Sequence, residues 1–257
     1  MNISKGGYSG LQVSGFANIA SGNSEGLQGT GFLNVAGKME GVQASGFLNI
    51  ANEINFAQVG IVNIANKNTG IALGVLNFIA DGIMSPAVYI DTAGWAYVQY
   101  QGGTEHFYTT FLAGMNTDWC QRWDYSNVVF GAGIGSRLPL VQNISLDVEL
   151  LWKNIVDYSK LEELVNLNKD NMTEDEIREL SKSYEKSIDI GQMPSLRGTL
   201  NISLAKHFSL FGAANLDAKI HGFNDAVFTR GQYTSGSWEM AKNRMTLYPS
   251  FSFGVKF

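Results

Sequence analysis

The sequence predicts an all-β fold: an antiparallel transmembrane β-barrel with N-terminal β repeats of 14–16 residues. Three observations lead there. A short motif recurs in tandem through the first third of the chain. Segments of the remainder alternate apolar and polar residues with period two, the signature of a strand with two unlike faces. The composition pairs 45% hydrophobic and 12% aromatic residues with only 16% charged ones, against roughly 25% in an ordinary globular domain. A barrel whose outside meets lipid and whose inside meets water accommodates that balance. With 29 Gly and 4 Pro, it also favours strands and turns over helices.

The first element, residues 8–83, is the repeat region. Residues 10–25 read GLQVSGFANIASGNSE, residues 26–40 GLQGTGFLNVAGKME and residues 41–55 GVQASGFLNIANEIN. Two looser copies occupy 56–69 and 70–82. Asn18, Asn34, Asn49, Asn63 and Asn77 recur at spacings of 16, 15, 14 and 14, accompanied by Gln12, Gln28, Gln43 and Gln58. Parity along the second copy sets Leu27, Gly29, Gly31, Leu33 and Val35 against Gln28, Thr30, Phe32, Asn34 and Ala36. Two architectures satisfy this pattern. Each copy can be one barrel strand of the ~9–11 residues a membrane crossing needs, the arrangement preferred here. Alternatively each copy is one coil of a short β-solenoid, with the Asn and Gln residues stacked in ladders. The fourth copy lacks one residue between Gln58 and Asn63. In a continuous strand that loss reverses every following side chain, whereas a corner or bulge absorbs it.

The tandem pattern G-Φ-Q-x-x-G-F-x-N-Φ-A (Φ apolar) resembles the surface-repeat family of bacterial outer-membrane proteins and surface lipoproteins. The stretch from Gly94 to Gly114, GWAYVQYQGGTEHFYTTFLAG, resembles the segment that follows the repeats there. The resemblance implies repeats followed by a β-barrel-like C-terminal region and a place in the cell envelope. It implies no enzymatic activity.

Residues 84–257 supply the barrel strands. In 128–138, Val128, Phe130, Ala132, Ile134 and Leu138 oppose Gly131, Gly133, Gly135 and Arg137. In 144–153, Ile144, Leu146, Val148, Leu150 and Trp152 oppose Ser145, Asp147, Glu149, Leu151 and Lys153. In 195–206, Leu196, Gly198, Leu200, Ile202 and Leu204 oppose Ser195, Arg197, Thr199, Asn201 and Ser203. In 209–220, Leu210, Gly212, Ala214, Leu216 and Ile220 oppose Ser209, Phe211, Asn215, Asp217 and Lys219. The chain ends with Leu247, Pro249, Phe251, Phe253, Val255 and Phe257 on one face. A last strand closing on Phe resembles the assembly signal of outer-membrane barrels. Short turns at Pro139–Asn143 and Lys206–Phe208 alternate with long polar loops at 159–194 and 222–243, as such barrels require. Within 159–194, Thr173 and Glu176 form a capping box before Ile177, Leu180 and Tyr184, which predicts a short helix near 173–186. The aromatics Trp95, Tyr97, Tyr100, Trp119, Trp123, Tyr125, Trp152, Tyr158 and Tyr248 fall near strand ends and suit interfacial girdles.

Candidate sites are few. Arg137, Asp147, Glu149, Lys153, Arg197, Asp217, Lys219 and Lys256 share the inward face, five bases against three acids. Pairing would neutralise them and seal the lumen; a charged pore lining is the other use of such a set. Ser209, Asp217 and His221 are the elements from which an outer-membrane hydrolase would build a triad. Asn166, Asn168 and Asp170 mimic a calcium loop, but Asn171 stands where Gly is required and Ile177 where Glu is required, so no EF-hand forms. No P-loop, GxSxG, HExxH or CxxC motif occurs, so no cofactor, metal or catalytic residue is expected. The net charge of −5 supplies no basic stripe for nucleic acid. Lone Cys120 makes no intrachain disulfide. The N-terminal Met-Asn-Ile-Ser-Lys-Gly-Gly is no signal peptide, so export of this chain implies a leader already removed.

The reading is therefore an integral protein of the outer membrane of a diderm bacterium, with a structural or interaction role. Its expected partners are the bilayer with lipopolysaccharide-type lipids and, through the C-terminal strand, the barrel assembly machinery. A solute channel, an outer-membrane hydrolase and a secreted β-solenoid binding module are the alternatives.

Overall fold

The computed structural model describes residues 1–118, 122–157, 189–220, 238–240 and 245–257. The described chain is all β, in two sheets of nine strands. The first is parallel and comprises β1 (Asn2–Ser4), β2 (Ser9–Ser14), β3 (Ala17–Thr30), β4 (Leu33–Ser45), β5 (Leu48–Ile54), β6 (Ala57–Val59), β7 (Val62–Asn68), β8 (Ile71–Leu73) and β9 (Leu76–Ile79). Equivalent residues of successive copies pair in register: Asn18 with Asn34, Asn34 with Asn49, Asn49 with Asn63, and Asn63 with Asn77. The repeats are thus coils of a β-solenoid, not barrel strands. Parallel stacking sets each amide on its own kind. An antiparallel meander would set it opposite unlike residues and leave it unpaired in a dry interior.

Each coil turns at a Gly followed by a large apolar residue, Phe in the first three copies. Gly31-Phe32 separates β3 from β4, and Gly46-Phe47 separates β4 from β5. The corner takes Phe32 off the face that parity assigned to it and leaves the rest of that face in place. Gln28, Asn34 and Ala36 are buried, whereas Phe32 points out with Phe16 and Phe47. The three rings stack at 5.2 and 5.1 Å. The residue missing from the fourth copy is lost at this corner, at Gly60-Ile61, so Gln58 and Asn63 both remain fully buried. A second irregularity absorbs the change from 16 to 15: the register between β3 and β4 shifts between Ala20 and Asn23. Gly26 and Gly41 open the Gln-bearing segments with φ of 111° and 145°. A side chain at either would strike the carbonyl oxygen of the coil before, Gly10 or Gly26.

The second sheet is antiparallel and closed. It contains β10 (Ile83–Asp91), β11 (Trp95–Gly103), β12 (Tyr108–Asp118), β13 (Arg122–Val141), β14 (Ile144–Asp157), β15 (Asp189–Ala205), β16 (Phe208–Ile220) and β18 (Met245–Lys256), with the short β17 (Trp238–Met240) flanking β18. Pairing of β10 with β18 completes an eight-stranded barrel. β15 begins at Asp189, so residues 189–194, read above as loop, are strand, and Met193 lies fully buried in the interior. Likewise β17 falls inside the span read as the loop 222–243. The predicted helix near 173–186 lies outside the described residues.

The strand directions define two ends. Turns at 104–107, 142–143 and 206–207, the start of β10 and the C-terminus share one end. The other end carries the turn at 92–94 and the connections leaving Asp157 and Ile220. The solenoid enters the barrel at the short-turn end.

Alternation explains the barrel wall. Outward Val98, Phe130, Ile134, Leu138, Val148, Leu150, Trp152, Leu196, Leu200, Ile202, Leu210, Phe251 and Phe253 are exposed. Their inward neighbours are buried and largely polar. This inverts the burial order of a soluble barrel.

Candidate functional site: the barrel interior and the amide ladders

All eight charged residues singled out above project into the barrel. They form three tiers along its axis. Nearest the short-turn end, Arg137 on β13 makes a two-pronged contact with Asp147 on β14, Nε to Oδ1 at 2.7 Å and Nη2 to Oδ2 at 2.8 Å. Lys256 on β18 donates to the same Oδ2 from across the lumen at 2.7 Å. In the middle tier Arg197 Nε lies 3.7 Å from Glu149 Oε2. Beyond, Lys153 Nζ lies 2.6 Å from Asp217 Oδ1. Lys219 is buried on the same face one step further along β16. A carboxylate between two cations, with hydrogen bonds to both, is the geometry that lets charge persist away from bulk water.

Residues not foreseen from the sequence complete the middle tier. Gln99 and Gln101 on β11 both donate to Glu149 Oε1, at 3.0 and 2.8 Å. Gln99 Oε1 in turn accepts from Arg197 Nη1 at 2.9 Å, and its Nε2 also reaches Thr110 Oγ1 at 2.7 Å. The Arg197 guanidinium lies over the Tyr89 ring at 4.3 Å, a cation–π contact that takes the place of water. Tyr89 stacks on Tyr97 at 4.6 Å and meets Phe211 edge-on at 5.7 Å. Alternation in Tyr97-Val98-Gln99-Tyr100-Gln101 carried the signal for this inward set, but nothing local names Glu149 as the shared partner.

Packing closes the remaining space. Trp95, Tyr97, Leu112, Val129, Leu151, Ile155, Met193 and Phe211 form one buried cluster, with Tyr248 against it. Trp95 and Tyr97 are therefore lumen residues, not members of an interfacial girdle; both lie on the inward parity of β11. Trp152 and Tyr100 do face outward. Trp119 and Tyr158 lie outside the described residues, as do the side chains of Trp123 and Tyr125. Glycine makes room for the large inward groups. A Cβ on Gly135 would stand 2.5 Å from Tyr108 Cζ, and one on Gly133 2.7 Å from Leu151 Cδ2. An eight-stranded barrel is just wide enough to be filled by its own side chains, and among the described residues charged, amide and aromatic side chains occupy this interior.

The structure separates the elements of the suggested triad. Ser209 and Asp217 are eight residues apart on one strand, ~27 Å at the usual rise. Ser209 bonds Ser203 Oγ at 3.2 Å, and Asp217 is taken by Lys153. His221 lies outside the described residues.

In the solenoid, Asn18, Asn34, Asn49, Asn63 and Asn77 form one ladder. Each Nδ2 donates to the next Oδ1, at 3.3, 3.0, 2.9 and 2.8 Å in order. Gln12, Gln28, Gln43 and Gln58 form a second that runs the other way, each Nε2 donating to the preceding Oε1 at 2.9 Å. Two rungs were not foreseen. Asn2, 16 residues before Asn18, starts the Asn ladder. Thr109 of the barrel ends it, its Oγ1 accepting from Asn77 Nδ2 at 3.1 Å. The Gln ladder stops where Ala72 pairs with Gln58.

The class so defined is a closed eight-stranded antiparallel barrel with buried, paired charges inside and an apolar wall, joined to a parallel β-solenoid. No protein-family model and no curated protein matches the chain. Among solved structures, the N-terminal β-barrel domain of Pseudomonas aeruginosa OprF is similar to it, with a TM-score of 0.37 and 9% sequence identity over 68% of this chain and 95% of that chain.

Proposed function

We propose that the protein is an integral outer-membrane β-barrel with a structural or interaction role and a sealed lumen. The observation that carries the reading is the inversion of the barrel: exposed aliphatic and aromatic residues outside, buried and paired charge inside. In water the wall would be a large apolar patch of the kind soluble monomers avoid. In a bilayer it is the required surface. Closure of the sheet leaves no open barrel edge within lipid. Bilayer lipids, lipopolysaccharide-type lipids among them, are then the immediate partners of the wall, and assembly proceeds through the C-terminal strand ending at Phe257. The resemblance of the repeats to the surface-repeat family agrees with an envelope location.

The paired charges of the lumen favour a structural role over a solute channel: Arg137, Asp147 and Lys256 are joined across one end, and the aromatic cluster stands behind them. Purified protein in detergent is expected to migrate differently before and after boiling, as a barrel does, and to give no steady conductance in planar bilayers. Identical mobility with and without boiling would remove the membrane-barrel reading. Stable channels of nanosiemens size would remove the sealed lumen and promote transport.

A further inference from the structure

One side of the solenoid is apolar outside, like the barrel wall. Around the Gly-aromatic corner, Phe16, Phe32, Phe47, Ile61 and Val75 stand exposed one above another, Phe16 at 62% and Val75 at 51%. The two faces flanking that corner add Leu27, Ile71 and Leu73 on one side and Ile64, Leu76 and Phe78 on the other. The opposite corner is polar. It carries Lys38 with Glu40 at 3.1 Å and Lys67 with Glu53 at 3.8 Å, with Phe56 as the one large apolar exception.

The junction shows what the apolar side adjoins. The last coil sits on the barrel's outer wall at the short-turn end. Asn77 and the Val75 carbonyl both meet outward-facing Thr109, at 3.1 and 3.2 Å. A Cβ on outward-facing Gly102 would stand 2.6 Å from the Asn77 carbonyl oxygen. The Phe78 ring lies 6.4 Å from that of outward Tyr100. The ladder axis therefore runs into the wall, and the solenoid's apolar surface continues the wall's.

We infer that the solenoid is a lipid-facing arm: its Gly-aromatic corner and flanking faces lie among acyl chains of the leaflet around the barrel's short-turn end, with its charged corner toward water. This rests on the membrane reading of the barrel. The arm widens the protein's footprint in that one leaflet. An amide interior suits it, because lipid demands that backbone and side-chain polar groups be satisfied internally.

The test uses the full chain carrying Cys120→Ser, reconstituted in phosphatidylcholine–phosphatidylglycerol vesicles brominated at mid-chain. An environment-sensitive fluorophore is placed through Phe32→Cys, Ile61→Cys, Lys67→Cys or Leu200→Cys, one per sample. Labels at 32 and 61 are expected to emit at shorter wavelength and to lose emission to bromine as the barrel-wall label at 200 does. The label at 67 is expected to remain water-like. Quenching at 200 with water-like emission at 32 and 61 overturns the arm and leaves the barrel reading intact. Labels at 32 and 61 that are shielded from iodide yet unquenched by bromine point to a second copy covering the corner, and also overturn it. No quenching at 200 overturns the barrel reading, and the arm with it.

Discussion

Asp147 holds two cations at once, and this makes it the most sensitive single residue of the barrel. Arg137 and Lys256 both bond its carboxylate within 2.8 Å, and the side chain is fully buried. Replacing it by Leu leaves two positive charges facing each other in a closed space. Loss of one partner of a buried pair costs ~3–5 kcal/mol. Asp147→Leu should accordingly lower the temperature at which the compact gel band converts to the unfolded one. Adding Lys256→Met should recover part of the loss, since the two sites share one interaction and their effects cannot add. Additive losses would mean the tier is not a coupled unit. On the other side of the wall, Leu200 is exposed between buried Thr199 and Asn201. Leu200→Arg should impair assembly by ~2–4 kcal/mol near the bilayer midplane, with Leu200→Ala far milder. Equal folding yields in vesicles for Arg and Ala would show that the position does not face lipid.

At the level of elements, the ladders tie the coils together more than any apolar core does, for the solenoid's interior apolar residues are mostly Ala with Met39, Ile54 and Ile79. Asn49 accepts from Asn34 and donates to Asn63 and to the Val59 carbonyl. Asn49→Ala takes the donor from Asn63 Oδ1 and from the Val59 carbonyl, while Asn34 Nδ2 keeps the Gln28 and Ala44 carbonyls. Each unsatisfied buried group costs ~1–3 kcal/mol, so the loss should come to ~2–4 kcal/mol. Asn2→Ala touches only the partly exposed first rung and should cost little. Limited proteolysis is expected to nick the Asn49→Ala solenoid while the heat-resistant barrel band persists. If both variants resist equally, the ladder does not hold the coils. The strands of the barrel were legible because period two runs through the stretches read: β13, β14, β15, β16 and β18 put outside the residues that parity put outside. The repeats were less so, because a parallel coil and an antiparallel strand share that period. The deletion between Gln58 and Asn63 was the only local sign of a corner. Trp95 and Tyr97 defeated the reading for another reason: closeness to a strand end says nothing about which face a ring takes. Gln99 and Gln101 reach Glu149 across 50 and 48 residues, a distance no local pattern spans.

For the molecule as a whole, the ends of the barrel decide orientation. The connections that leave Asp157 and Ile220 lie at one end; the three tight turns, the C-terminus and the solenoid lie at the other. Outer-membrane barrels keep short turns on the periplasmic side and long loops outside. On the outer-membrane reading proposed above, the solenoid is expected on the periplasmic side, where its repeats would not meet external partners. On the same reading, the connections leaving Asp157 and Ile220 are expected to open to the exterior. An epitope inserted at Asn171 is expected to bind antibody on intact cells. The same epitope inserted after Asn66, at the polar corner of the solenoid, is expected to bind only after the outer membrane is opened. Protease added to intact cells should cut near Asn171 and leave 144–157 and 189–205 joined to the protected barrel. Surface labelling at Asn66 with silence at Asn171 would reverse the orientation. It would put the solenoid outside and return the binding of external partners to the repeats.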